Sequence, residues 1–283
     1  MKKTVIGTCT LVLWGVATFQ AGAQQAVLTS SMFGEGPGCA VGCCDEGEAP
    51  VCGCEVGCGV ANDCDQSGLV VDTEMTLFRY HHSEGIVKSQ EFDFEAAPRI
   101  TLGFRGPGGL GIRGRWWKYD HSNSLAGVET YNIDVELFEE LQLSSCTTVE
   151  LSGGFRYNGF NESGFLADSP EGEVTRDTQR FNGFGGVLAI EANRSLAMGG
   201  SLYTRLREAI LMDDWHKGNT VKADVVLAVT EIAFGYEFSM PVISSCYCMN
   251  SFLGIEWQNW HGFDAGNDSV GFAGIVTGFS LEF

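Results

Sequence analysis

Basic residues are scarce, and between Thr4 and Phe78 there is no lysine or arginine at all. Seventeen basic residues stand against 36 acidic ones, a formal net charge of −19. That balance excludes a surface that tracks phosphates, so nucleic acid is not an expected partner, and it excludes a basic patch on an anionic membrane surface. Past the first twenty-odd residues no segment approaches the roughly 18 continuous apolar residues of a membrane-spanning helix. A chain of this kind enters a membrane as strands or not at all. Also missing are a phosphate-binding loop, a nucleophile elbow and any cofactor fingerprint. No catalytic set, resident metal or cofactor is therefore expected.

What is present begins with an export signal. Lys2 and Lys3 precede a mostly apolar stretch from Thr4 to Phe19, and Ala21-Gly22-Ala23 is a small-residue cleavage site. Residues 1–23 read as a signal peptide, residues 24–68 as an acidic Cys/Gly-rich segment without strand or helix periodicity, and residues 69–283 as a β domain. Cys9 sits too early for a lipoprotein acylation site. The composition suits β structure, with 38 glycines for tight turns and 19 phenylalanines for aromatic girdles.

Ten strands can be drawn, near 69–80, 95–105, 109–119, 129–141, 146–158, 181–192, 196–208, 222–238, 248–260 and 270–283. Each has the length of a tilted bilayer crossing. In the fifth, Val149, Leu151, Gly153, Phe155 and Tyr157 alternate with Thr148, Glu150, Ser152, Gly154 and Arg156. The seventh puts Leu196, Met198, Leu202 and Leu206 outward, with Ser201, Tyr203, Arg205 and Arg207 inward. The tenth runs in strand periodicity to Phe283, with Ala273, Ile275, Thr277, Phe279 and Leu281 on the same outward face. Such a strand is tolerated in a closed barrel, which has no free edge. The connections are expected to alternate, short on the periplasmic side and long outside, with external loops at His81–Phe94, Asp120–Val128, Gly159–Arg180, Ala209–Val221 and His261–Ser269. The expectation is an all-β, antiparallel, up-and-down transmembrane barrel of about ten strands. Its partners would be outer-membrane lipid, the barrel-assembly machinery and small solutes or ions.

Seven cysteines crowd the head, at Cys39, Cys43, Cys44, Cys52, Cys54, Cys58 and Cys64, and three more, Cys146, Cys246 and Cys248, lie at expected periplasmic strand starts. With Cys9 removed, ten remain, an even number that suits disulfides in an oxidising compartment. A zinc site is the alternative, though two well-formed C-x2-C knuckles are lacking.

Three segments carry a family likeness. Gly153-Gly154-Phe155-Arg156-Tyr157 resembles a G-G-L-R-Y strand of the Legionella-type major outer membrane protein family. Phe92-Asp93-Phe94 followed by Pro98-Arg99-Ile100-Thr101-Leu102-Gly103-Phe104 is similar to its second strand, and Arg113-Gly114-Arg115-Trp116-Trp117-Lys118-Tyr119-Asp120-His121 to its aromatic third. The likeness covers about Leu69 to Phe283, with the cysteine-rich head outside it. Cysteine-rich variants of that family are typical of planctomycete-like bacteria. The resemblance implies a pore-forming outer-membrane barrel. The family-like terminal assembly signal is carried by Gly278, Leu281 and Phe283, with Val276 where a polar residue is usual.

The inward positions expected to line the lumen are Glu74, Arg99, Arg105, Arg113, Arg115, Asp134, Glu136, Glu150, Arg156, Arg205, Arg207, Glu231 and Glu256. A wet lumen lined this way gives a porin-like pore, with an acidic excess favouring cations. The alternative is that these groups pair and plug a narrow barrel, leaving a structural or adhesive protein. A remoter alternative is an omptin-like protease. Asp214-Trp215-His216 resembles the Asp-x-His of that group, with Asp120 as a candidate across the mouth. That chemistry needs a second carboxylate pair to activate water, and the chain offers no clear one.

Overall fold

A computed structural model describes residues 67–82, 92–122, 126–166, 175–196, 200–241, 248–262 and 269–282. Phe283, the head cysteines and Cys246 fall outside these residues. The ten strands are β1 (Gly68–His82), β2 (Glu95–Arg105), β3 (Leu110–Ser122), β4 (Ala126–Ser144), β5 (Thr147–Leu166), β6 (Thr175–Leu196), β7 (Gly200–Lys217), β8 (Thr220–Pro241), β9 (Cys248–His261) and β10 (Ser269–Glu282). Every strand pairs antiparallel with its sequence neighbours, and β1 closes on β10. The closing ladder runs from Val70↔Glu282 to His82↔Val270. This is the expected ten-stranded up-and-down barrel, and no unpaired edge remains for another chain to extend.

The wall has the polarity of an outer-membrane barrel. On β4, Ile133, Val135 and Leu137 are exposed, while Asp134 and Glu136 between them are each 1% exposed. On β2, Ile100, Leu102 and Phe104 face out and Arg99 and Thr101 face in. Apolar residues outside and charged residues inside reverse the arrangement of a soluble protein. Only a hydrocarbon surround makes that favourable.

Four expectations are corrected. The segment expected as a loop at Ala209–Val221 is ladder: β7 pairs with β8 through Lys217↔Thr220, with a register shift between Asp213 and Trp215. Likewise β5 and β6 stay paired to Leu166↔Thr175, and β3 and β4 to Ser122↔Gly127. Beyond the lipid the outward face no longer has to be apolar, so alternation fades while hydrogen bonding continues. Finally, Leu196 ends β6 rather than opening β7, which starts at Gly200. The faces assigned on β7 survive, with Leu202 and Leu206 exposed and Tyr203 and Arg207 buried.

Inward glycines bend the wall. A Cβ at Gly185 on β6 would collide with the Ile210 carbonyl of β7, and one at Gly274 on β10 with the Leu77 carbonyl of β1. A narrow barrel needs its backbone this close at its tightest curves.

Candidate functional site

The interior is stacked in layers along the barrel axis. At the end where β1 begins and β10 finishes lies a partly open vestibule. There Arg113 donates to Glu150 at 2.6 Å, to Glu136 at 3.0 Å and to Ser152 at 3.1 Å. Arg105 lies 3.1 Å from Glu140 and 3.6 Å from Glu282. The guanidinium groups of Arg105 and Arg113 both lie over the Phe138 ring, at 5.8 and 5.1 Å. Gly111 on β3 is the register partner of Phe138, and a Cβ there would strike the ring. The lack of a side chain at Gly111 therefore seats this cation–π stack.

The middle layer is a closed ion-pair network. Arg99 on β2 donates to both oxygens of Glu256 on β9, at 2.6 and 2.8 Å, and to Glu74 on β1 at 2.6 Å. Arg156 on β5 grips Asp134 with two bonds, at 2.7 and 2.8 Å, and reaches Glu231 on β8 at 2.6 Å. Arg207 on β7 is paired with Glu136 and Asp134, and Arg115 on β3 meets Glu231 at 3.4 Å. Arg205 adds Glu191 at 2.9 Å and Glu74 at 3.3 Å. β3 and β8 stand on opposite sides of the ten-strand ring. The Arg115–Glu231 contact therefore spans the bore.

Six arginines (99, 113, 115, 156, 205 and 207) and seven carboxylates (74, 134, 136, 150, 191, 231 and 256) are joined by these contacts. Buried charges of this density persist only when each is paired. At the same level β6 and β10 offer Gly185, Val187, Gly274 and Val276 instead of charges, which leaves room for the long arginines.

Above the network the bore is filled by aromatic rings. Phe272 on β10 is the hub, with ring centroids of Tyr119 at 5.1 Å, Tyr80 at 5.4 Å, and Trp117 and Trp260 each at 5.7 Å. Phe160 links Trp260 to Trp215 across the other side. Gln258 joins the layers, donating to Glu256 at 2.9 Å and accepting from the Trp260 indole at 3.4 Å. Toward the far mouth His82 sits 2.8 Å from Glu162, and His121 sits 3.0 Å from Glu95.

Exposure decides what these layers mean. A side chain lining a water-wide channel keeps surface accessible to water. Arg156 is 0% exposed, Arg99, Asp134 and Glu136 are each 1%, and Trp117, Trp260 and Phe272 are 0–1%. The expected lumen-lining residues all point inward. Of them Glu74, Arg99, Arg115, Asp134, Glu136, Arg156, Arg207, Glu231 and Glu256 are buried in the packed middle, Arg105, Arg113 and Glu150 line the half-open vestibule, and Arg205 stands where the two meet. The aromatic layer was not among the expected site residues. Its sequence signal is apolar residues on both faces of a strand, as at Leu77-Phe78 and Trp116-Trp117.

The other expected sites are placed as follows. Cys146, in the turn between β4 and β5, is disulfide-bonded. Cys248 opens β9. Gly278 and Leu281 lie in β10, paired with Glu74 and Val71. The protease-like residues do not converge. Asp120 is on the outer face of β3, held 3.1 Å from Lys118, and Asp214 on β7 accepts the Asp224 backbone N–H at 3.1 Å. Among the described residues no group of metal-ligating side chains is assembled.

No family model matches the chain, and no curated protein matches it. Among solved structures it is similar to Neisserial surface protein A (14% identity, TM-score 0.37, 77% of this chain and 98% of that one). It is similar to the translocator domain of the autotransporter NalP from Neisseria meningitidis (12% identity, TM-score 0.46, 76% and 88%). It is also similar to the outer membrane protease OmpT from Escherichia coli (7% identity, TM-score 0.40, 77% and 93%). None of these likenesses is high enough to lend the chain an activity.

Proposed function

We propose that this is a closed, non-conducting outer-membrane barrel with a structural role. It carries its hairpins on the cell's exterior and its cysteine-rich segment in the periplasm, and it does not pass solutes through the bore. The observation that carries this reading is the double seal. A network of paired charges reaches from wall to wall, and an aromatic layer fills the space above it. Small barrels fill with their own side chains, and open channels belong to larger ones. The disulfide at Cys146 fits a role in which the periplasmic rim is tied to other cysteines.

The test is planar-bilayer recording on purified, refolded, full-length protein. Wild type is expected to give no current steps while migrating as a heat-modifiable band. Stable single-channel steps from the folded band would overturn the reading and restore the pore, with reversal potentials then reporting whether cations are preferred.

A further inference from the structure

One carboxylate faces the wrong way. Glu208 on β7 points out of the barrel: Arg207 and Ala209 beside it are buried inside, while Leu206 and Ile210, the next outward residues, are 39% and 38% exposed. It is the ninth of the 18 residues of β7, so it lies mid-strand. Across the ladder it faces exposed Leu188 on β6 and Thr230 on β8. Thr230, the eleventh of 22 residues in β8, donates its hydroxyl to Glu208 Oε2 at 2.6 Å. The same row continues to Asn259 on β9, whose chain neighbours Gln258 and Trp260 are fully buried inside. A stripe of carboxylate, hydroxyl and amide thus crosses three adjacent strands, from mid-strand on β7 and β8 to the third residue from the end of β9.

Some other outward charges sit toward the rims. Lys118 pairs with Asp120 and Glu129 near the far mouth, and Glu139 is registered with Leu110, the first residue of β3. Glu208 lies between apolar Leu206 and Ile210, and His261, near enough to act on its charge, is registered with Ala228. Lipid tails give a carboxylate or an amide no hydrogen-bond partner, and ionisable groups at this depth are costly unless a polypeptide covers them. The stripe is bordered by small residues that let another backbone approach: Ala228 beside Thr230, and Gly271 opposite Asn259.

We propose that the β7–β9 wall is a self-association surface, on which a second copy of this chain takes Glu208, Thr230 and Asn259 out of lipid. Any cover must be embedded in the same layer and be polar at the same depth. A second copy related by an axis along the membrane normal meets both conditions, because it presents the same stripe at the same height. The stripe holds donors and acceptors together, so it can satisfy itself. The inference needs a membrane-embedded barrel, whether or not the bore conducts.

The experiment places a photo-crosslinking residue at position 228 of the full-length protein in intact membranes. The control places it at position 133, where Ile133 is exposed on β4, four strands away. The expected result is an adduct of twice the chain's mass from 228 and none from 133. Glu208→Leu combined with Thr230→Val is expected to cut that adduct at least tenfold while heat-modifiable migration persists. Adducts from both positions, from neither, or with a partner of another mass would overturn the proposal, as would an adduct indifferent to the double substitution. Loss of heat-modifiable migration in wild type would instead indict the barrel itself.

Discussion

Arg156 shows how much one residue holds. Its three bonds to Asp134 and Glu231 satisfy two buried carboxylates on opposite sides of the bore. Arg156→Leu leaves both carboxylates buried with a partner removed, and is expected to cost about 3–5 kcal/mol of unfolding free energy. Lys118→Ala removes an exposed pair and is expected to cost less than about 1 kcal/mol. Urea unfolding of detergent-refolded protein, followed by tryptophan fluorescence, compares the two. At this scale the sequence was informative about direction and silent about distance. Alternation places Arg156 and Glu231 inside. It does not say that β5 and β8 stand close enough for their side chains to meet, because that depends on strand number and tilt. Glu208 is hidden for a related reason. A strand over 196–208 ends on that residue and puts it at the rim, whereas β7 runs on to Lys217 and puts it mid-strand.

At the scale of an element, adjacent glycines on β6 make a controlled pair. Gly185 points inward against the Ile210 carbonyl, whereas Gly186 points outward with its nearest neighbour 4.0 Å away. Gly185→Val is expected to destabilise by about 1–3 kcal/mol, the range of forced overpacking. Gly186→Val is expected to be neutral within about 0.5 kcal/mol, since it adds an apolar group facing lipid. The same unfolding assay separates them, and equal losses would contradict the assigned faces. The strands themselves were legible wherever lipid enforces an apolar face: β5 from Val149 to Tyr157 is the clearest case. They were illegible past the belt, where Asn161, Ser163, Thr178 and Arg180 occupy ladder positions without any apolar partner. There the backbone continues a pattern that the side chains no longer announce.

For the whole molecule, the proposed closure makes the two layers redundant seals. Removing charges from the network with Arg156→Gly and Glu231→Gly is expected to leave the bilayer silent, because the rings around Phe272 still fill the bore. Planar-bilayer recording on that variant, beside wild type, is the check. Current from the variant alone would mean that the ion pairs are the only barrier. Closure of the barrel was legible in the pattern of ten strands. The contacts across the bore were not, because side-chain reach across it is a property of the closed ring and of no strand alone.

The contacts of Arg99 carry a consequence for the order of assembly. Arg99 on β2 holds Glu256 on β9, and the β1–β10 seam runs between them. Arg205 on β7 reaches Glu74 on β1 across the same seam. Neither bond exists in an open sheet. Until the seam zips, those groups are hydrated on the concave side of a curling ribbon, and zipping dries and neutralises them in one event. Half-zipped forms would bury charge without its partner, so they are disfavoured on both sides of the step. The last strand pair to form is thus coupled to the chemistry at the centre of the molecule, and the chain has a built-in reason to be either open and wet or shut and dry.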